Sequence, residues 1–340
     1  MKRLAIIILG GLALLGTTTS CQKDFEEINK NPNVPEDYLT YALFNGNNQA
    51  LMYNLRGYDN MGKQSLTWMQ YASQPIYTKE SRYLLDPDGG STIYYQMYGR
   101  GIGYKEIINL NTNPETKDLV SVYGKNNNQI AAARIMLAYV FSLGVQAFGD
   151  IPYYSYGDQD NPKFQALQTD KYVTPVFAPQ KDVYLDILKE LEAATAQIEN
   201  DTFVFSSGDV IFGTPTNLKK FANSLRLRIA NHLKGATDAV LGAPLAEKVK
   251  AIIRYYKEGH DDELLDANFK SAELISENNY TYPAPMYYDY FVGNRVDYLP
   301  SSNFIKLLSG TNKKANTRGL NFGVDPRMEK YFAPKGIDKW

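Results

Sequence analysis

The chain is poor in the residues on which catalysis, redox chemistry and metal binding usually depend. Its 340 residues include one cysteine, two histidines and two tryptophans. One cysteine cannot form an internal disulfide. Two histidines, at 232 and 260, are distant in sequence and give little support to a Ser/His or Cys/His nucleophile system. Positive charge is not in excess either, with 36 basic against 37 acidic residues. Nucleic acid, which needs a basic face, is therefore excluded as a partner class. Long apolar runs are also missing. The longest, LAIIILGGLALLG after Met1-Lys2-Arg3, has thirteen residues, short of the roughly 20 a spanning helix needs.

That basic start, short apolar core and small-residue ending form a secretory signal peptide over residues 1–20. Cys21 follows Thr18, Thr19 and Ser20 directly and is placed as a bacterial lipoprotein acceptor, its thiol carrying a diacylglyceryl group after cleavage. Each buried acyl methylene contributes about 0.8 kcal/mol, so two or three chains anchor firmly. Cleavage leaves 34 basic residues against 37 acidic. Asn29 to Pro35 (NKNPNVP) is turn-forming and helix-breaking. In contrast to its scarce tryptophan, the chain has 27 tyrosines. A tyrosine ring offers a flat apolar face and a hydroxyl, which suits polar, carbon-rich ligands, although many of these rings belong to a core.

Spacing predicts a chain of helices. Ile130, Ala133, Leu137, Phe141, Val145 and Phe148 form one buried face. Ala131, Ala132, Ala138, Gly144 and Ala147 let neighbours approach on other sides, so this helix belongs in the middle of a bundle. It should stop at Gly149. A helix or two helical pieces, interrupted near Gly46, is expected over Asp37 to Arg56. Others are expected over Gly62 to Ser73, Ser91 to Asn111, Pro179 to Asn200, Thr216 (as cap) to Gly235, and Pro244 to Glu258, with a shorter piece at 304–308. Within Pro179 to Asn200, Val183, Ile187, Leu188, Leu191, Ala194 and Ile198 form the inner stripe, and Lys189, Glu190 and Glu192 mark the solvent side. In the next helix Leu218, Phe221, Leu225, Ile229 and Leu233 face inward. Gln74 to Ser91, Asp158 to Thr174 and Asp201 to Gly213 are read as loops or turns. No low-complexity linker divides the mature chain.

No catalytic constellation emerges. His260 to Glu263 (HDDE) has metal-ligating side chains, but four adjacent residues do not converge unless the chain folds sharply, and an acidic helix start accounts for them. His232 is read as a packed, hydrogen-bonded residue on the inner side of its helix. Gly99, Gly101 and Gly103 before Lys105 lack the Gly-Lys-Ser/Thr order of a phosphate loop and are read as permitting close helix packing. Asp150 lies among aromatics, but no partner carboxylate for glycoside hydrolysis can be assigned. Its position after Gly149 favours a turn in which the carboxylate accepts backbone N–H groups. Neither a cofactor nor a metal is implied.

The small-residue helix running into FGDIPYY resembles the SusD/RagB family of outer-membrane nutrient-binding lipoproteins, and within it the SusD-like subgroup described as starch-binding and associating with the outer membrane. PQKDVYLDILKELEAA and the helix containing FANSLRLRIA are similar to core helices of that family, in the same order, and DPRMEKYF resembles a later element. The Lys23-Asp24 and Glu26-Glu27 stretch past Cys21 resembles the surface-export signal of Bacteroidetes lipoproteins. The resemblance implies a mainly α fold of antiparallel helix pairs of the tetratricopeptide type with long irregular loops. Periodicity alone supports helix pairs but no 34-residue repeat. Family chains normally continue well past the Asp-Pro-Arg element, so residues 21–340 are expected to be a SusD-like domain lacking its C-terminal part. Apolar surface should then be uncovered around Leu218 to Leu233 or 304–308.

The implied function is a non-catalytic glycan-binding lipoprotein, held at the outer membrane by lipid and facing the cell exterior. It would deliver oligosaccharide, or less often peptide, to a SusC-like TonB-dependent transporter. A lipid-anchored glycoside hydrolase and a structural transporter partner that binds no sugar are the alternatives. By resemblance, ligand-binding rings come from two regions, matched by region and not by motif. One holds Trp68, Tyr71, Tyr77, Arg82 and Tyr83. The other runs from Tyr282 through Tyr287, Tyr288 and Tyr290 to Arg295. Trp68, between Leu66 and Met69, fits core as well as site. Tyr153 and Tyr154 of FGDIPYY are the next candidates.

Overall fold

The computed structural model describes residues 38–84, 86–209, 211–266, 272–277, 283–293, 297–311 and 323–331. Cys21, Tyr282 and Arg295 lie outside them, as does the side chain of Tyr290. The chain divides into units of residues 1–39 and 40–340, and the described helices lie in the second.

That unit is mainly helical. Its long helices are α1 (Thr40–Arg56), α2 (Ser91–Thr112), α3 (Asn126–Phe148), α4 (Gln180–Gln197), α5 (Pro215–Leu233) and α6 (Ala243–Lys257). Helices adjacent in sequence pack on one another: α1 on α2, α2 on α3, α3 on α4, α4 on α5 and α5 on α6. This is the helix-pair arrangement of tetratricopeptide type. Strand is limited to β1 (Ala72–Ser73) paired antiparallel with β2 (Leu299–Pro300) among the described residues.

α3 is the hub. From Asn128 to Val145 every residue but Leu143 is buried, because α2, α4 and α5 all pack on it. By length and composition it could cross a membrane, but 78% of its most apolar window is buried inside the protein. Its small residues explain the close approach. A Cβ added at Gly144 would sit 2.0 Å from Met97 Sδ of α2, and one at Gly103 of α2 would sit 1.9 Å from Asn47 Nδ2 of α1. Gly149 ends α3 with φ +79°. Asp150 Oδ1 then accepts the Gln180 N–H at 2.8 Å, so the carboxylate tethers the first turn of α4. An isolated antiparallel bridge between Ile151 and Ala178 holds the same junction.

Several sequence expectations need correction. α1 runs unbroken through Gly46, since the turn before and the turn after both bury apolar side chains, Phe44 and Leu51. The helix expected over Gly62 to Ser73 starts earlier, as a π-helix from Tyr58 to Leu66, and is over by Trp68. Gln70 has φ +59°, which no helix continues, and Ala72–Ser73 pairs with β2. The cap of α5 is Thr214, whose hydroxyl accepts the Asn217 N–H at 3.2 Å. Pro215, lacking an N–H, fits the first helical position, which leaves Thr216 inside the helix. His232 is exposed rather than inward, within 3.2 to 3.3 Å of Gln146 Nε2. The α5 stripe of Leu218, Leu225, Ile229 and Leu233 is buried against α4 and α6, whereas at 304–308, the other place where uncovered apolar surface was expected, Leu307 is 49% exposed.

Glu190, read as solvent-facing, is also buried, at 7% exposure. It receives Arg134 of α3 through Nη2 at 3.0 Å and Nε at 3.1 Å. The Gly157 N–H adds a bond at 2.9 Å. One turn away, Asp186 Oδ2 accepts the Tyr153 hydroxyl at 2.9 Å. Burial, with a smaller push from Glu190, raises the Asp186 carboxyl to about 6. An acid whose folded-state pKa is raised destabilises the fold as it ionises. Stability should therefore fall as pH rises from about 4 to about 6, by about 2 to 3 kcal/mol at 1.36 kcal/mol per unit. Asp186→Asn, which cannot ionise, should lose this slope. Urea unfolding at pH 4 and pH 7 checks it: parallel pH dependences in parent and variant would refute the assignment.

Candidate functional site

The loop after the π-helix is held by its polar side chains. Gln74 is 2% exposed. With its amide turned so that nitrogen faces acceptors, it donates to the Tyr77 carbonyl at 2.6 Å and to Glu80 at 2.9 Å, and its oxygen accepts the Tyr298 hydroxyl at 2.5 Å. The Gln74 backbone N–H reaches Ser81 Oγ at 3.1 Å. Lys79 closes the far side on Asp86 at 3.1 Å, and this bond holds the Asp86 carboxyl below its usual range.

Gln70 and Tyr83 both adopt left-handed backbone, with φ +59° and +58°. For residues with a Cβ this costs about 1 kcal/mol or more each. They are also partners. Gln70 Nε2 donates to the Tyr83 hydroxyl at 2.8 Å, and that hydroxyl reaches the Trp68 carbonyl at 3.3 Å. Gln70 Oε1 in turn accepts from Asn303 Nδ2 at 2.7 Å. Tyr83 ends the Glu80–Arg82 turn and Gln70 closes the turn after Trp68, so the bond ties two helix ends together.

The late segment completes the surface. α7 (Ser302–Leu308) is capped by Ser301, whose Oγ accepts the Phe304 N–H at 3.1 Å and donates to the Gln70 carbonyl. The Ser301 N–H donates to the Tyr71 carbonyl at 3.1 Å. This pinning sets the Phe304 ring against Tyr71, with centroids 4.8 Å apart and planes at 44°. The Asp325 N–H donates to the Leu308 carbonyl at 2.7 Å. Arg327 grips the Asp325 carboxylate at 2.6 to 3.2 Å and holds that acid down to about 2. The short helix Met328–Tyr331 follows, and Tyr331 lies 6.4 Å from Phe304 in a near-parallel stack. Tyr71, Tyr77, Tyr83 and Tyr331 are each 46 to 56% exposed, a large solvent share for aromatic rings.

Of the residues singled out in the sequence, Trp68, Tyr71 and Tyr83 therefore meet at one place. Trp68 is half-buried, with its indole N–H buried and unpartnered, between the core and site readings. Tyr77 is exposed on the same loop. Arg82 is exposed and donates through Nε to the Thr78 carbonyl at 3.3 Å. Tyr287 and Tyr288 follow Pro285 in a segment that touches the π-helix leading into this loop. Their segment packs on α1, where Tyr288 lines a cavity of about 1000 Å³ with Tyr53, Arg56 and Arg228. Tyr153 and Tyr154 are 1% and 3% exposed, which removes the FGDIPYY loop as a binding surface. Phe304, Gln70, Asn303 and Tyr331 were not anticipated. Ser301 three residues before Phe304 is a readable cap signal, but its pairing with a loop 230 residues earlier is not encoded locally.

The HDDE stretch is a short 3-10 turn at Asp261–Glu263. His260 stacks on Tyr255 at 3.9 Å, and Glu263 accepts the Tyr255 hydroxyl at 2.8 Å. Among the described residues no group of three or more His, Cys, Asp and Glu is placed to hold a metal.

Solved structures share the fold. A Bacteroidetes SusD-like protein aligns at TM-score 0.59 and 19% identity, covering 82% of this chain and 50% of the other. A SusD/RagB family protein from Bacteroides thetaiotaomicron aligns at 0.57 and 19%, covering 81% and 53%. A chitin-binding protein aligns at 0.53 and 18%, covering 88% and 58%. The chain thus spans about half the length of these structures. Among curated proteins none matches. The family model described as SusD-like, starch-binding associating with outer membrane, matches residues 32–339, and the chain belongs to that family.

Proposed function

We propose that the protein is a non-catalytic glycan-binding lipoprotein of the outer membrane that faces the cell exterior and delivers oligosaccharide to a SusC-like TonB-dependent transporter. The carrying observation is the aromatic surface in which exposed Tyr71 and Tyr331 pack on half-buried Phe304, with Tyr83 and Tyr77 exposed on the adjoining loop and Gln70, Asn303 and Arg82 supplying polar groups. Rings of this kind stack on the apolar faces of sugars while amide and guanidinium groups satisfy hydroxyls. The starch-binding character of the family and the chitin-binding protein of like fold support the glycan class. In this reading residues 1–20 are a signal peptide and residues 21–340 the binding domain, tethered through acylated Cys21. Tyr287, Tyr288 and Arg295 belong to a second candidate region.

Titration of the protein with a panel of oligosaccharides, followed by chromatography of the mixture, tests the reading. Saturable binding with the sugar recovered intact is expected. Shortened products would favour the lipid-anchored hydrolase instead. Mass spectrometry of the protein from native membranes should find Cys21 as an acylated N-terminus, and an unmodified Cys21 would refute the anchor.

A further inference from the structure

A second cavity, of about 750 Å³, opens where α4, α5 and α6 meet the 261–263 turn. Its volume falls within the range of small-molecule sites. The chemistry is separate from that of the aromatic surface. Four cations line it, Lys219, Lys220, Arg226 and Lys248, against three carboxylates, Glu192, Asp262 and Glu263. Their pairing is uneven. Glu192 takes both Lys248 and, at 3.7 Å, one terminal nitrogen of Arg226. Glu263 takes the Tyr255 hydroxyl, and Asp262 is solvent-exposed. Lys219 and Lys220 are both half-buried, and neither has an ion-pair partner among the described residues.

Two deeper groups are also unsatisfied. Arg226 Nε and the Tyr256 hydroxyl are buried without a hydrogen-bond partner, and Tyr256 is only 9% exposed. Leaving a buried donor unpaired is costly, so both groups favour an acceptor seated in this cavity. Ala196, Ala251 and Ile252 add apolar lining.

We infer that this pocket is a second ligand site, which takes a sugar acid with its carboxylate held by Lys219, Lys220 and Arg226. Two oxygens of one carboxylate satisfy several donors at once, and charge-assisted bonds to it are stronger than neutral ones. The Tyr256 hydroxyl meets a ring hydroxyl, and the apolar lining meets the C–H face of the ring. That the ligand is a sugar rests on the proposed glycan-binding function, whereas its negative charge rests on the pocket alone.

The test is titration of the full chain with sodium glucuronate and with glucose, in the parent and in a Lys219→Gln, Lys220→Gln variant. These lysines hold no carboxylate among the described residues, so the variant should fold normally. Glucuronate should bind at least about tenfold more tightly than glucose, the variant should lose about tenfold of that, and added salt should weaken binding. Failure of neutral oligosaccharides to bind, with glucuronate still bound, would sink the aromatic site and leave this one standing. Equal affinity for glucose and glucuronate, or no effect of the two lysine substitutions, would overturn the inference. Inorganic phosphate that displaces glucuronate at equal concentration would overturn its sugar part.

Discussion

Arg134→Ala should destabilise the protein by about 3 to 5 kcal/mol, the range for breaking one side of a buried ion pair. Arg134 and Glu190 have side chains only 7% and 9% exposed. Two guanidinium nitrogens hold the two carboxylate oxygens, and a third donates to Gln197 Oε1 at 2.7 Å. The same guanidinium lies 4.8 Å from the Tyr156 ring centroid. Without it, Glu190 is a buried carboxylate with a single backbone donor, from Gly157. The loss is one of pairing rather than of area. Replacing both partners by apolar residues of similar size, as in Arg134→Met, Glu190→Leu, should therefore cost much less than either single truncation. Denaturant unfolding of the three variants measures this. If the double variant is as unstable as Arg134→Ala, packing and not uncompensated charge decides the effect.

Tyr71→Ala, Tyr77→Ala should fold as the parent does and lose most of its oligosaccharide affinity. Both rings are about half exposed, so truncation removes little core. Aromatic stacking on a flat ligand is worth about 1 to 3 kcal/mol per ring by analogy with bases. Losing two rings should therefore weaken binding by about 2 kcal/mol or more, some thirtyfold. Calorimetry with the best oligosaccharide of the panel measures it. The comparison variant is Tyr287→Ala, Tyr288→Ala, in a segment that packs on α1 and whose Tyr288 lines a cavity with Tyr53. If that variant loses binding while Tyr71→Ala, Tyr77→Ala retains it, the ligand occupies the cavity lined by Tyr53 and Arg228, and the surface around Phe304 has another role.

The helices were legible because their cause is local. Three-and-four spacing placed α3 to α6 within a few residues, and the inner stripe of α4, from Val183 to Ile198, is buried as read. Composition also identified α3 as the hub, since a helix rich in alanine and glycine can be approached from several sides. Asp150 read as turn chemistry holds a backbone N–H, although that of Gln180, 30 residues on.

The sequence by itself thus determined the helical fold class, the order of the helices and the loop from Gln74 on that carries Tyr77 and Tyr83. Only the tertiary structure decided which polar residues are buried and which aromatics share a surface. Glu190 occupies a position that spacing assigns to solvent, and it is inside because Arg134 of another helix supplies its counter-charge. Tyr153, read as part of a loop, is core because Phe141 and Phe164 enclose it. Phe304 reaches Tyr71 because β2 pairs with β1 and Ser301 binds the Gln70 backbone. Periodicity reports how one segment divides its own faces. It carries no information about a partner some 230 residues away, and that partner sets the energy of burying a charge or exposing a ring.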